Sequence, residues 1–142
     1  LARYRQVNRP MSTTDEANRP LVLLVEPEWP TRAYLNAALA EAGFQVHPTE
    51  SARDAVRWEL TVGDVPRVIV LDVGTLHADD LLAAHQLVRL VPSAALLLLA
   101  RPTVAVDPIL ASRAREIVHR PFSIGYIVAR TQALASAESG QG

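Results

Sequence analysis

Three runs of the chain are apolar with almost no polar interruption: LVLLV at 21–25, VIVL at 68–71 and ALLLLA at 95–100. A strand that faces water on one side alternates apolar and polar residues, whereas a strand covered on both sides loses that alternation. These runs therefore predict strands of a parallel sheet buried between two layers of helices. With their flanks, they give strands over Leu21–Glu26, Arg67–Val73 and Ala95–Ala100, and the shorter runs FQVH (Phe44–His47) and EIVH (Glu116–His119) complete a set of five.

The intervening segments read as helices. Tyr34, Leu35, Ala38, Leu39 and Ala42 fall at helical spacing, with Pro30 suited to the first turn and Gly43 to the C-cap. Ser51–Asp54 resembles a capping box opening a helix to about Leu60, broken by Gly63-Asp64. A helix from about Asp79 to Leu90 ends before Pro92. Asp107-Pro108 pairs an N-cap with a first-turn proline and starts a short helix to about Arg115, and Ser123 caps a last helix to about Ser136. Strands alternating with helices require right-handed crossovers, which predicts a three-layer (βα)5 doubly wound parallel sheet of α/β class. The expected organisation is a tail over residues 1–20, one domain over 21–136, and a second tail or cut linker over 137–142. Met11 lies inside the first tail and leaves the status of residues 1–10 open.

Composition narrows the function. The 142 residues carry 15 acidic and 14 basic side chains for a net charge of -1, so no bulk field attracts nucleic acid or an anionic membrane. Without cysteine, thiol nucleophiles and cysteine-based zinc sites are excluded. The run 94–100 is far too short to cross a bilayer, and a cytoplasmic protein is the default expectation. Every basic residue is arginine, so any step that needs a lysine ammonium has to do without one.

A doubly wound sheet binds ligands at the carboxyl ends of its strands. There the first strand ends in Glu26, the third in Asp72, and the fifth runs into His119-Arg120-Pro121-Phe122. Two carboxylates and a cation converging at one edge suit a hard metal ion or phosphoryl chemistry.

These segments together resemble the response-regulator receiver domain, the CheY-like branch of flavodoxin-like folds. LVLLVEPEWPTRAYLNAALAEAGFQV is similar to the family's opening, VIVLDV to its phosphoacceptor strand, and HRPF to its fifth-strand ending; together the likeness covers about Leu21 to Ala135. The resemblance implies strand order 2-1-3-4-5, a phosphoacceptor at Asp72, a phosphate-charge partner at Arg120, and Mg2+ held weakly by Glu26, Asp72 and the Gly74 carbonyl. It implies a signalling module rather than an enzyme, with a histidine kinase, another signalling protein or a second copy as partner. It also implies an interaction surface that includes Arg113, Tyr126 and Arg130.

The departures point to a degenerate, pseudo-receiver variant. Pro27 stands where the family has a second acid, and it has no side-chain oxygen. The family's hydroxyl residue falls at Leu99 or Ala100, and its switch aromatic at Ile117. Its lysine is Arg120, which keeps the charge but not the compact ammonium. A lasting Arg120–Asp72 pair is one outcome, and a sluggish phosphoacceptor is another. A flavodoxin-like ligand-binding or enzyme domain is the remote third, disfavoured because no glycine-rich phosphate loop is present. His77, Asp79, Asp80 and His85 match no metal-ligand spacing, and Asp79 and Asp80 suit a solvated helix start. Trp29 and Trp58 read as packing residues.

Overall fold

The computed structural model describes residues 18–74 and 76–141, with side chains as far as Ala137. Most of the proposed tail 1–20 lies outside the described residues. The elements run β1 (Leu21–Val25), α1 (Trp29–Glu41), β2 (Gln45–Thr49), α2 (Ala52–Val62), β3 (Val68–Asp72), α3 (Ala78–Leu90), β4 (Ala95–Ala100), α4 (Pro108–Arg113), β5 (Glu116–His119) and α5 (Ile124–Gln141). All pairings are parallel, and the order is β2-β1-β3-β4-β5, as expected.

The unbroken apolar strands divide their side chains between two cores. Leu23, Val25, Ile69, Leu71, Leu96 and Leu98 point into one cluster with Ala55, Val56, Leu87 and Leu110 from α2, α3 and α4. Val22, Leu24, Val68, Val70, Leu97 and Leu99 enter the other with Leu35, Leu39, Ile127 and Leu134 from α1 and α5. Pairing Val22 with Val68 and Val70 with Leu97 keeps each parity on one side across the sheet. A register slip of one residue would send every side chain to the opposite core.

The expected caps form. Ser51 Oγ accepts from Asp54 N at 3.1 Å, Asp107 Oδ2 from Leu110 N at 3.1 Å, and Ser123 Oγ from Tyr126 N at 3.0 Å. Gly63 ends α2 with φ 77°, while α1 ends at Ala42 and Gly43 follows it at φ 107°, the left-handed region glycine enters without strain. Most boundaries shift by one or two residues from the pattern, and two of the shifts have a plain cause. β2 continues through Pro48 to Thr49, which an edge strand tolerates because one flank needs no N–H donor. α5 runs to Gln141 rather than Ser136, since after Gly125 in its first turn no proline or glycine interrupts it before Gly140.

Candidate functional site

The carboxyl edge of the sheet gathers Glu26, Asp72 and Arg120. Glu26 directly follows β1, Asp72 is the last residue of β3, and Arg120 directly follows β5. β4 lies between β3 and β5, so Arg120 must reach over it, across roughly 9–10 Å of two strand spacings. The β4 residue paired with Asp72 on that face is Leu99, and the buried Ala100 after it accepts from Arg120 N through its carbonyl at 2.8 Å.

The cluster is buried and closely coupled. Arg120 Nη2 donates to Asp72 Oδ2 at 2.6 Å and lies 3.5 Å from Glu26 Oε1. The other oxygens are also engaged: Gly74 N donates to Asp72 Oδ1 at 2.7 Å, and Glu28 N donates to Glu26 Oε2 at 3.0 Å. Glu26 is wholly buried and Asp72 nearly so. Burial, then the hydrogen bond and charge of Asp72, push the Glu26 carboxyl up to about 8, against the pull of the Glu28 amide and of Arg120. For Arg120, burial opposes the charge, but the hydrogen bond to Asp72 and the charges of Asp72, Glu26 and Glu28 outweigh it and hold the guanidinium above its usual range. Its planar group also lies over the Phe122 ring, 4.9 Å from the centroid.

Two neighbours shape the mouth of the site. A Cβ built on Gly74 would sit 2.9 Å from Arg101 Cγ, 3.0 Å from Arg101 Nε and 3.1 Å from Asp72 Oδ1, so a side chain there would collide with both. Gly74 thus lets the chain of Arg101 lie across the loop beside Asp72. Arg32 Nη1 donates to the carbonyls of Glu26 (2.8 Å) and Pro27 (3.3 Å) and fixes the turn after β1. Beside these lies a cleft of about 400 Å³ lined in part by Val25, Pro27, Ser51, Asp72, His77 and Asp80.

The read-out positions carry no chemistry for a phosphoryl group. Register pairs Asp72 with Leu99 and Leu98 with Ile117, so neither Leu99 nor Ala100 after it brings a hydroxyl to strand four, and the strand-five position is an aliphatic chain.

Other residues singled out from sequence have different company. Arg113 Nη2 donates to the carbonyls of Val91, Pro92 and Ala94 at 3.2, 3.0 and 2.8 Å, clamping the turn before β4. Arg130 forms a bidentate pair with Glu116, its Nε and Nη2 both 2.8 Å from carboxylate oxygens, while Tyr126 is half exposed. Asp80 is not merely solvated: its Oδ2 and Oδ1 accept from Ala52 N and Arg53 N, both at 3.0 Å, capping α2 from α3. His85 Nε2 lies 2.8 Å from Asp107 Oδ2. Among the described residues, no group of three or more His, Asp or Glu side chains is arranged to hold a metal ion. Trp58 stacks on His47 with ring centroids 4.1 Å apart, but Trp29 is 69% exposed, so the expectation that it packs fails because it opens α1 at the rim of the sheet. Sequence reading missed Arg101, Arg32 and the Asp80 cap; only the placement of Arg101 directly after the fourth strand offered a signal.

No protein-family model and no curated protein matches the sequence. Solved structures do match. A CheY-like response regulator receiver domain protein from Methanospirillum hungatei aligns with a TM-score of 0.72 and 16% identity, over 85% of this chain and 98% of its own. A response regulator receiver domain protein from Clostridium thermocellum gives 0.70 and 16%, over 87% and 99%. An orphan response regulator of Helicobacter pylori gives 0.65 and 21%, over 82% and 96%. At these identities the likeness is one of fold: the chain has the receiver-type doubly wound architecture. Among the described residues, no helix is long and apolar enough to cross a membrane.

Proposed function

We propose that this chain is a receiver-type signalling domain of a two-component or phosphorelay system, with an incompletely equipped phosphorylation pocket, acting through contact with a partner protein. The observation that carries the reading is the joining of Glu26, Asp72 and Arg120 at the carboxyl edge of a receiver-type sheet, beside the chemically silent Leu99, Ala100 and Ile117. A hydrogen bond to a charged oxygen contributes about 1.5–3 kcal/mol, and a switch that lacks it loses much of the bias between its two states. The partner is a histidine kinase, another signalling protein or a second copy. Because Arg113 and Arg130 are engaged within the fold, Tyr126 is the side chain on that face best placed to meet it.

The test is incubation with magnesium and beryllofluoride or acetyl phosphate, read by intact mass and amide NMR. The expected result is neither a stable adduct nor shifts spreading beyond the pocket. An adduct on Asp72 with shifts across α4, β5 and α5 would overturn the degenerate reading.

A second reading is favoured by one observation: Asp72 lines the open cleft. On that reading Asp72 is a working phosphoacceptor, with Mg2+ held weakly by Glu26, Asp72 and the Gly74 carbonyl. Phosphotransfer from a partner histidine kinase to the wild type, abolished by Asp72→Asn, would establish it.

A further inference from the structure

The two readings differ over what neutralises the acidic pocket. Each of the four carboxylate oxygens already has a partner: Glu28 N on Glu26 Oε2, Gly74 N on Asp72 Oδ1, and Arg120 Nη2 on the two that remain. Magnesium requires near-octahedral oxygen coordination at short distance. Pro27 supplies no side-chain oxygen, and the chain of Arg101 lies over Gly74 on the adjoining side. A guanidinium cannot release its proton to make way for a metal. A divalent ion at Asp72 would therefore have to expel Arg120, which is partly buried and seated on the Phe122 ring. The residues present do not fit the metal that the receiver likeness implies.

Resting on the receiver-type reading above, we propose that Arg120 is the resident counter-ion of the pocket, its guanidinium taking the place of a divalent cation between Glu26 and Asp72. The acidic edge is neutralised from within the chain. The domain therefore holds one state whether or not magnesium is present, and regulation reaches it through partner contact rather than through the pocket.

The experiment titrates Mg2+ and paramagnetic Mn2+ into the wild type, Arg120→Gln and the double variant Pro27→Asp/Arg120→Gln, reading amide NMR and thermal melting. In the wild type, amides at 26 and 72–74 should neither shift nor broaden, and the melting temperature should not move. Arg120→Gln should melt lower without metal and recover part of the loss with Mn2+, with broadening confined to those amides. The double variant should bind at least tenfold tighter than Arg120→Gln. Broadening of the wild type at the same Mn2+ concentration as Arg120→Gln would overturn the proposal, as would an Arg120→Gln protein as stable as the wild type without metal. If Arg120→Gln does not fold, Glu26→Gln/Arg120→Gln removes a carboxylate along with the cation: recovery of folding supports the proposal, and continued failure overturns it. Metal binding by the wild type would sink the counter-ion proposal and leave the partner-contact reading standing. An Asp72 adduct that transmits shifts without any metal requirement would do the reverse.

Discussion

Glu26 and Asp72 face one another at the ends of β1 and β3 with one guanidinium between them, so the pair carries two acids for a single cation. Glu26 bears the consequence, its carboxyl pushed up to about 8 from an ordinary value of 4.5, first by burial and then by Asp72. In the unfolded chain the same group ionises in the usual carboxylate range. Between those limits the native state binds the extra proton, so its stability falls as pH rises from about 4.5 to about 8 and levels off above. Glu26→Gln removes this slope. The variant should nearly match the wild type near pH 5 and exceed it at pH 8 by up to roughly 4 kcal/mol, since the rise from 4.5 to about 8 spans more than three tenfold changes in proton affinity at about 1.4 kcal/mol each. Melting curves from pH 5 to 9 check this; parallel pH profiles for the two proteins would refute it.

Asp80 offers a test on the opposite side of the cleft. Its carboxylate satisfies two amides at the first turn of α2, which Ser51 serves only at Asp54. Removing a helix cap costs about 0.5–2 kcal/mol. Asp80→Ala should lose that amount in urea denaturation, with faster hydrogen exchange at Ala52 and Arg53. Asp79→Ala, on an exposed neighbour in the same turn, should stay within about 0.5 kcal/mol of the wild type.

The sheet was legible because its strands are buried on both faces: LVLLV and ALLLLA leave no polar side for water, and two helical layers are the way to cover them. The caps were legible too, because Ser51, Asp107 and Ser123 act on amides three residues away. Glu26, Asp72 and Arg120 were placed at one edge by strand ends alone. What the sequence hid was contact across the fold. Asp80 reaches an amide 28 positions away, Arg113 grips carbonyls about twenty positions upstream, and Arg101 folds back over Gly74. No local period records such pairings. Local composition also gave no sign that Trp29 would point to solvent, because helical spacing does not say which rim residues lack a neighbouring layer.

β4 supplies a test of the two-core architecture. Leu98 and Leu99 are adjacent, fully buried, and belong to opposite clusters. In a sheet covered on both faces, Leu98→Ala and Leu99→Ala should each cost about 2–5 kcal/mol. Leu60→Ala, at 65% exposure on α2, should cost less than about 0.5 kcal/mol. A large loss at only one of the two β4 positions would mean that one face of the sheet is poorly covered.

Arg113 on α4 and Arg130 on α5 should respond differently to truncation. Arg113 supplies donors to three carbonyls in the turn between α3 and β4, and all three lose that charged donor when it is removed, Val91 keeping only Ala94 N at 3.2 Å. Arg130 pairs with Glu116 at a partly exposed site, where both ends recover water on separation. Hydrogen bonds from a charged donor contribute about 1.5–3 kcal/mol, whereas exposed ion pairs are worth about 0–1 kcal/mol. Arg113→Ala should therefore lower the midpoint of urea unfolding clearly, and Arg130→Ala only slightly. Salt should separate them further. Screening by added sodium chloride erases the small Arg130 effect and leaves most of the Arg113 effect, because the latter rests on backbone dipoles held at short range rather than on an exposed pair of opposite charges. Equal losses for the two variants at high salt would show that the Arg113 contacts do not hold the turn.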